Sequence, residues 1–363
     1  MNIGVLTSSR ADYGIYLPLL NKLLEDSYFN LEIIAFGTHL SKNHGFTVDE
    51  IEQTKFSKIH KISTLLSNDD ESSIATSYGL TVIKFADFWS KNKFDLVFCL
   101  GDRFEMSAAV QAGIPFGIKY AHIHGGETTL GAIDNIYRHQ ITIASLLHFT
   151  AAKQFTSKVI ELKGENKHIY NFGALSLDGF EKFKPIEKNV FYERFNIPHR
   201  DFILVTFHPE TITPEQNQFN AKEMRSALQK ISKKHFLVIT MPNADTGGRK
   251  IAEMIEGFVE THSNAHFYKS LGQQKYLSII AQVDGVIGNS SSGLLEVPTF
   301  KKGTINIGDR QRGREQGQSV INCEPNQKSI ADGINILYSP SFQVNLSQVR
   351  NPYGEGGASE KIV

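Results

Sequence analysis

Two stretches of the chain concentrate side chains that carry protons or hold anions. The first lies between Gly101 and His139. It holds the carboxylates Asp102, Glu127 and Asp134, together with His122, His124, His139, Arg103 and Arg138. Carboxylates and imidazoles are the ordinary general acids and bases. Each residue alone has a plain structural role. Asp102 can cap a helix, Arg103 can pair with a surface acid, and Asp134 and Arg138 at i,i+4 can form a helix ion pair. A packed core has no use for all of them in one span, so their density points to acid–base chemistry.

The second stretch is residues 284–314, DGVIGNSSSGLLEVPTFKKGTINIGDRQRGR. A short apolar strand, residues 285–288, runs into Asn289, Ser290, Ser291, Ser292 and Gly293, and a helical pattern starts at Leu294. A small polar turn ahead of a helix presents free N–H groups to an anion, and serine hydroxyls add donors. Glu296 follows one turn later, placed to accept from hydroxyls of the same ligand. Arg310, Arg312 and Arg314, after Gly308, supply positive charge. A bare N-cap leaves the glutamate and the arginines unexplained. A phosphate at the turn, a diol at the carboxylate and arginines around them make a nucleotide-diphosphate site.

These groups need elements to hold them. Residues 2–7 form an apolar strand, Ser8–Gly14 a turn carrying Arg10, Ala11 and Asp12, and residues 15–24 an amphipathic helix. A strand at 31–36 leads to Gly37, Thr38 and His39, and helical patterns cover 47–53 and 72–90. Residues 95–100, DLVFCL, are apolar almost throughout, as in a strand covered on both faces. A strand at 117–121 precedes His122. After residue 198 the pattern resumes, with strands at 202–207, 236–240, 266–268, 285–288 and 304–307. Alternating strands and helices imply parallel sheets built from right-handed βαβ units. The expected fold class is α/β, with two Rossmann-like domains and a cleft between them. The boundaries fall at 1–175, 176–345 and a tail at 346–363. Ligands of open α/β sheets sit beyond the carboxyl ends of the strands, and every motif above falls there. So do His208, after strand 202–207, and Asn243, after strand 236–240.

Lys+Arg and Asp+Glu both number 38, which argues against nucleic acid or a membrane surface as partner. Cys99 and Cys323 lie far apart in or beside apolar runs, so thiols are expected, not a disulfide or a zinc site. No G-x-G-x-x-G follows the first strand, and no redox cofactor or metal is expected. The chain enters a strand at once, without a basic and apolar leader, and has no long apolar stretch, so the cytoplasm is the expected compartment.

The GNSSSG-x-x-E pattern and the NIGDRQRGR tail resemble the UDP-N-acetylglucosamine 2-epimerase family. The hydrolysing branch, which serves sialic-acid-type sugar synthesis, is the most similar. SRADYG resembles the family's first nucleotide loop, Gly37–Leu40 its G-[ST]-H-L turn, TFH at His208 its T-x-H motif, and the segment around Asn243 its PN motif. The resemblance implies a glycosyltransferase-B-like architecture whose last helix packs back on the first domain. It implies UDP contacts at Arg10, Ala11, Asp12, His39, Arg103, Asn243, Ser290, Ser291, Glu296 and Arg310. It implies catalytic roles for Asp102, Glu127, Asp134, His208, His124 and Arg138. The implied partners are a UDP-sugar substrate and UDP product, in a homodimer or homotetramer. The implied reaction on UDP-N-acetylglucosamine is anti elimination of UDP to a glycal, then hydration to N-acetylmannosamine. His124 stands where some members carry a glutamate, in H-I-H-G-G-E, so the base stays open among Asp102, Glu127, Asp134 and His124. The same difference fits a UDP-2,4-diacetamido sugar as substrate. The motif also departs from the H-V-E-A-G-L-R form of the non-hydrolysing branch, the remaining alternative. A glycosyltransferase would need an acceptor surface, and a UDP-sugar sensor would need no acid cluster.

Overall fold

The computed structural model describes the chain except residues 43, 44, 55, 57, 69, 131, 132, 196, 199, 200, 210–215, 242–247, 269 and 270. It divides into two compact units. One comprises Met1–Thr128, Ile133–Glu181 and Tyr353–Val363; the other comprises Thr129–Ala132 and Lys182–Pro352.

The first unit is a seven-stranded parallel sheet. Its strands are β1 (Asn2–Thr7), β2 (Asn30–Phe36), β3 (Lys58–Ile62), β4 (Leu96–Leu100), β5 (Tyr120–Ile123), β6 (Leu147–Thr150) and β7 (Ile169–Asn171). Their order is β3-β2-β1-β4-β5-β6-β7. Side chains alternate across a strand, and both faces are covered. Ile3 and Val5 of β1 join Leu96, Phe98 and Leu100 of β4 under the helix Arg10–Glu25. Leu6, Val97 and Cys99 join Phe85, Phe88, Trp89 and Met106 on the other side. This is why the 95–100 run is unbroken. Each such side chain contributes roughly 1.5–3 kcal/mol by leaving water. Burial pushes the Cys99 thiol up to about 12, as suits a core thiol.

The second unit is a six-stranded parallel sheet. Its strands are β8 (Phe202–Thr206), β9 (Phe236–Thr240), β10 (Ala265–Tyr268), β11 (Gly285–Gly288), β12 (Gly303–Ile307) and β13 (Val320–Cys323), in the order β10-β9-β8-β11-β12-β13. In each sheet the order reverses once, between β1 and β4 and between β8 and β11. A crevice for ligands opens at such a point.

Several elements differ from the sequence reading. The strand expected at 117–121 begins at Tyr120, because Ile114–Phe116 form a 3-10 turn ended by Gly117 at φ +66°. The first helix starts at Arg10, since Ser9 caps it by accepting from the Asp12 N–H. After Pro352 the chain returns to the first unit. There the Asp178 carboxylate accepts from the N–H groups of Ala358 (2.8 Å) and Ser359 (2.6 Å), and Lys22 pairs with Glu360 at 2.8 Å. Among the described residues no helix is long and apolar enough to cross a membrane.

Candidate active site

At the end of β4, Gly101 turns the chain at φ +76°. Arg103 then stands at the N-cap of the helix Phe104–Gly113, and its carbonyl accepts from Ser107 N at 3.0 Å. This sharp turn delivers Asp102 to Arg138, which lies on the helix Asp134–Ala144 and is 2% exposed. Arg138 also donates to the His124 carbonyl at 2.6 Å and stands 3.9 Å from Glu127 Oε2. Glu127, itself buried, accepts from His124 Nδ1 at 2.6 Å. A neutral His124 ring then leaves Nε2 as a buried acceptor without a hydrogen bond. Asp102, Glu127, His124 and Arg138 thus form one linked network at the ends of β4 and β5. Arg138 turns into that network and not along its own helix to Asp134, so the i,i+4 pair expected as the plain reading is not formed. Asp134 opens the helix, half-buried, and its charge contributes, behind burial and Tyr78, to raising the Tyr137 pKa.

The H-I-H-G-G-E motif has a backbone reason. His124 sits at φ +62°, a left-handed conformation that costs a non-glycine residue on the order of 1–3 kcal/mol. Gly126 follows at φ +77°, and a Cβ there would lie 2.4 Å from the Phe155 carbonyl oxygen. His122 is a brace. Its ring meets Gly101 O at 2.9 Å and Thr142 Oγ1 at 3.1 Å, and burial first, then neighbouring cationic and histidine groups, holds its pKa well below the usual value. Gly126→Ala should lower stability by roughly 2–4 kcal/mol, since strain and clash act together. A thermal unfolding scan of that variant, unchanged from wild type, would refute this account of the motif.

At the end of β1, Asp12 is buried and accepts from Ser8 N (2.7 Å), Ser8 Oγ (2.9 Å) and Ser9 Oγ. Burial raises its pKa to about 6, against the opposing pull of Arg103 and Ser8. Arg103 is held by the buried carboxylate of Glu105 at 2.9 Å and keeps 44% of its side chain exposed. Arg10 and Ala11 are exposed in the first helical turn. His39 lies beneath them, fully buried, with Nε2 2.9 Å from Thr7 Oγ1 and Nδ1 2.8 Å from Thr47 Oγ1. It supports the turn from inside, and burial lowers its pKa to about 4.

In the second unit the turn after β11 is built on Gly288, at φ +143°, where a Cβ would fall 1.8 Å from Thr206 O. Asn289 is fully buried and clamps the His208 backbone. Its Oδ1 accepts from His208 N at 2.7 Å and its Nδ2 donates to His208 O at 2.9 Å. This fixes His208, Ser290 and Ser291 at the β8/β11 reversal. The helix after the serines is one turn only, Ser292–Leu295, followed by a 3-10 turn, Val297–Phe300, that contains Pro298. The anion-holding capacity read from the sequence therefore rests on the N–H and hydroxyl groups of the turn, with little macrodipole behind them. Glu296 is half-buried at the junction.

The sequence reading missed Tyr276. From the helix Gly272–Gln282 it brings its hydroxyl to Ser292, Thr206 and Ser290, beside Glu296, and burial first raises its pKa to about 12. A tyrosine in an amphipathic helix carries no separate signal.

The arginines after β12 do not gather at one point. Arg310 donates to Pro209 O at 2.6 Å, towards the reversal. Arg312 meets Asp309 at 3.5 Å, and Arg314 Nε donates to Thr129 Oγ1 at 3.2 Å. Asn243 lies outside the described residues. Among the described residues no group of three His, Cys, Asp or Glu side chains could hold a metal.

Two Rossmann-like α/β units, each with a polar constellation where its strand order reverses, define a glycosyltransferase-B-like fold. The chain belongs to the UDP-N-acetylglucosamine 2-epimerase family, whose model matches residues 21–363. It is 35% identical over 347 residues to the GDP/UDP-N,N'-diacetylbacillosamine 2-epimerase (hydrolyzing) of Campylobacter jejuni, covering 94% of this chain and 89% of that one. It is 34% identical over 348 residues to the polysialic acid biosynthesis protein P7 of Escherichia coli, covering 96% and 89%. The fold matches the crystal structure of UDP-GlcNAc 2-epimerase from Neisseria meningitidis bound to UDP-GlcNAc. The TM-score is 0.84 at 17% identity, over 100% of this chain and 98% of that one.

Proposed function

We propose that the chain is a hydrolysing 2-epimerase of a UDP-activated 2-acetamido sugar. A base takes the proton from C2 while the C1–O bond to UDP breaks, leaving a C1=C2 glycal. Water then adds, its oxygen to C1 and a proton to C2 on the opposite face. UDP and the free 2-epimeric sugar leave, with no net oxidation or reduction. The observation that carries this reading is the linked network of Asp102, Arg138, Glu127 and His124. Asp102 is the carboxylate of that network that reaches solvent, 26% exposed against 2% for Glu127. We therefore assign Asp102 to the proton on C2 and Glu127 to holding His124. His124, Asp134 and His208 are the candidates for handling the water. In the second unit Ser290, Ser291 and Arg310 take the diphosphate, stabilising the charge that builds as UDP departs, and Glu296 takes the ribose; in the first, Arg10 and Arg103 are the exposed cations assigned to UDP.

Two sugars compete. UDP-N-acetylglucosamine would give N-acetylmannosamine. UDP-N,N'-diacetylbacillosamine, the 2,4-diacetamido sugar, is favoured by the name of the 35% identical relative. Both should be supplied at equal concentration in D₂O and followed by NMR. Release of UDP with a free sugar deuterated at C2 is the expected result, and the sugar consumed first is the substrate. A 2-epimer still carrying UDP would replace this reading with the non-hydrolysing one.

A further inference from the structure

Beyond the ends of β12 and β13 lies a cavity of about 470 Å³, two strands away from the β8/β11 reversal. That volume is in the range of small-molecule sites, roughly 300–1,000 Å³. A row of amides lines it. Asn306 and Asn322 are register partners on the parallel pair β12–β13. Asn306 Nδ2 donates to Asn322 Oδ1 at 2.9 Å, and Asn322 Nδ2 donates to Gln316 Oε1 at 2.7 Å. Asn306 is 3% exposed in a strand otherwise made of isoleucine, threonine and glycine. Its Oδ1 has no hydrogen-bond partner. A buried acceptor left unpaired costs stability, and each such group calls for a reason. Asn306 lines the cavity, and its enclosed acceptor is satisfied when the amide row adjusts to bring a ligand's N–H or O–H to it.

The charges around the cavity balance. Arg312 and Arg314 line it with Asp309 and Glu324. A diphosphate would meet two carboxylates here, a repulsion that an uncharged ligand does not feel. Amides that both donate and accept suit hydroxyl and acetamido groups. We propose that this cavity binds a free acylamino sugar, the uncharged product of the reaction, and so makes a second ligand site in the same unit as the nucleotide turn. The identity of the ligand rests on the function proposed above; the existence of the site does not.

The test uses the full chain saturated with UDP, so that the nucleotide site is filled, and titrates N-acetylmannosamine by calorimetry and saturation-transfer NMR. The sugar should bind wild type. Asn306→Leu should weaken it at least tenfold, and Gln316→Ala, at a half-buried position, severalfold. The second variant keeps the question open to refutation if the first does not fold. No binding to wild type, or equal binding by wild type and both variants, overturns the proposal. Turnover measured on the same preparations separates the two readings. Turnover without sugar binding removes the cavity and leaves the epimerase. Binding that the variants abolish, without turnover, supports the cavity and removes the epimerase.

Discussion

Asp102→Asn should lower turnover of the UDP-sugar about a thousandfold while UDP binds within about twofold of wild type; general acid–base groups contribute roughly 10²–10⁴ in rate. The substitution keeps the size of the side chain and removes its charge and basicity. Arg138 stays in place, because it still donates to the His124 carbonyl at 2.6 Å and lies 3.9 Å from Glu127. The loss should therefore appear in kcat at constant UDP affinity; the lost ion pair with the buried Arg138 lowers stability as well, and an unfolding scan measures that part separately. Glu127→Gln gives the contrast. Glu127 is 2% exposed and accepts from His124 Nδ1 at 2.6 Å, so its amide disturbs the more deeply buried carboxylate, and stability should fall further than in Asp102→Asn, together with rate. UDP affinity is the control, since Arg103, the proposed UDP contact beside Asp102, keeps its buried partner Glu105 at 2.9 Å in this variant. Near-normal turnover by Asp102→Asn would remove Asp102 as the base and pass the role to Glu127, Asp134 or His124.

The parts of the fold legible in the sequence are those where one physical cause dominates. Residues 95–100 read as a strand because Leu96, Phe98 and Leu100 face one core and Val97 and Cys99 the other. β3, KIHKI, was not legible. It is an edge strand with no fully buried residue, its two lysines exposed and the other three half-buried, so no period-2 pattern shows. Asp102 and Arg138 were both visible as candidates, but their pairing spans 36 residues and local spacing offered Asp134 instead. The helix behind the serine turn was over-read. Leu294, Leu295 and Glu296 have helical spacing, yet Pro298 lacks an N–H and the α-helix stops at Leu295. Asn289 read as a ligand group or cap, and its actual partner, the His208 backbone 81 residues away, follows only from the adjacency of β8 and β11.

His148→Leu should leave stability near neutral pH almost unchanged and raise it by roughly 2–3 kcal/mol at pH 4.5. His148 is fully buried on β6, in register with His122 on β5, and neither of its ring nitrogens makes a hydrogen bond. Burial, then the Lys163 ammonium, lowers its pKa to about 4, against a weak pull from the Ser145 backbone. The unfolded chain therefore takes up a proton near pH 6.5 that the native state refuses until about 4. Stability is lost as pH falls through that window. His39, also at about 4, and His122, held well below its usual value, add losses of the same sign. Asp12 acts in the opposite direction. Its native pKa of about 6 lies above the ordinary 3.8, so the native state holds the extra proton between those values, and its contribution is lost as pH rises through them. Three histidines against one aspartate leave a net acid-labile unit. Leucine at 148 sacrifices no hydrogen bond and removes one titrating group, which should flatten the acid limb by about one proton. Trp89, the single tryptophan, lies in the core of this unit and reports its unfolding by fluorescence. Urea titrations at pH 7.5 and 4.5 decide the matter. An acid limb of unchanged slope in His148→Leu would mean that the ring is already charged or relieved in the native state, and that the acid sensitivity of the unit arises elsewhere.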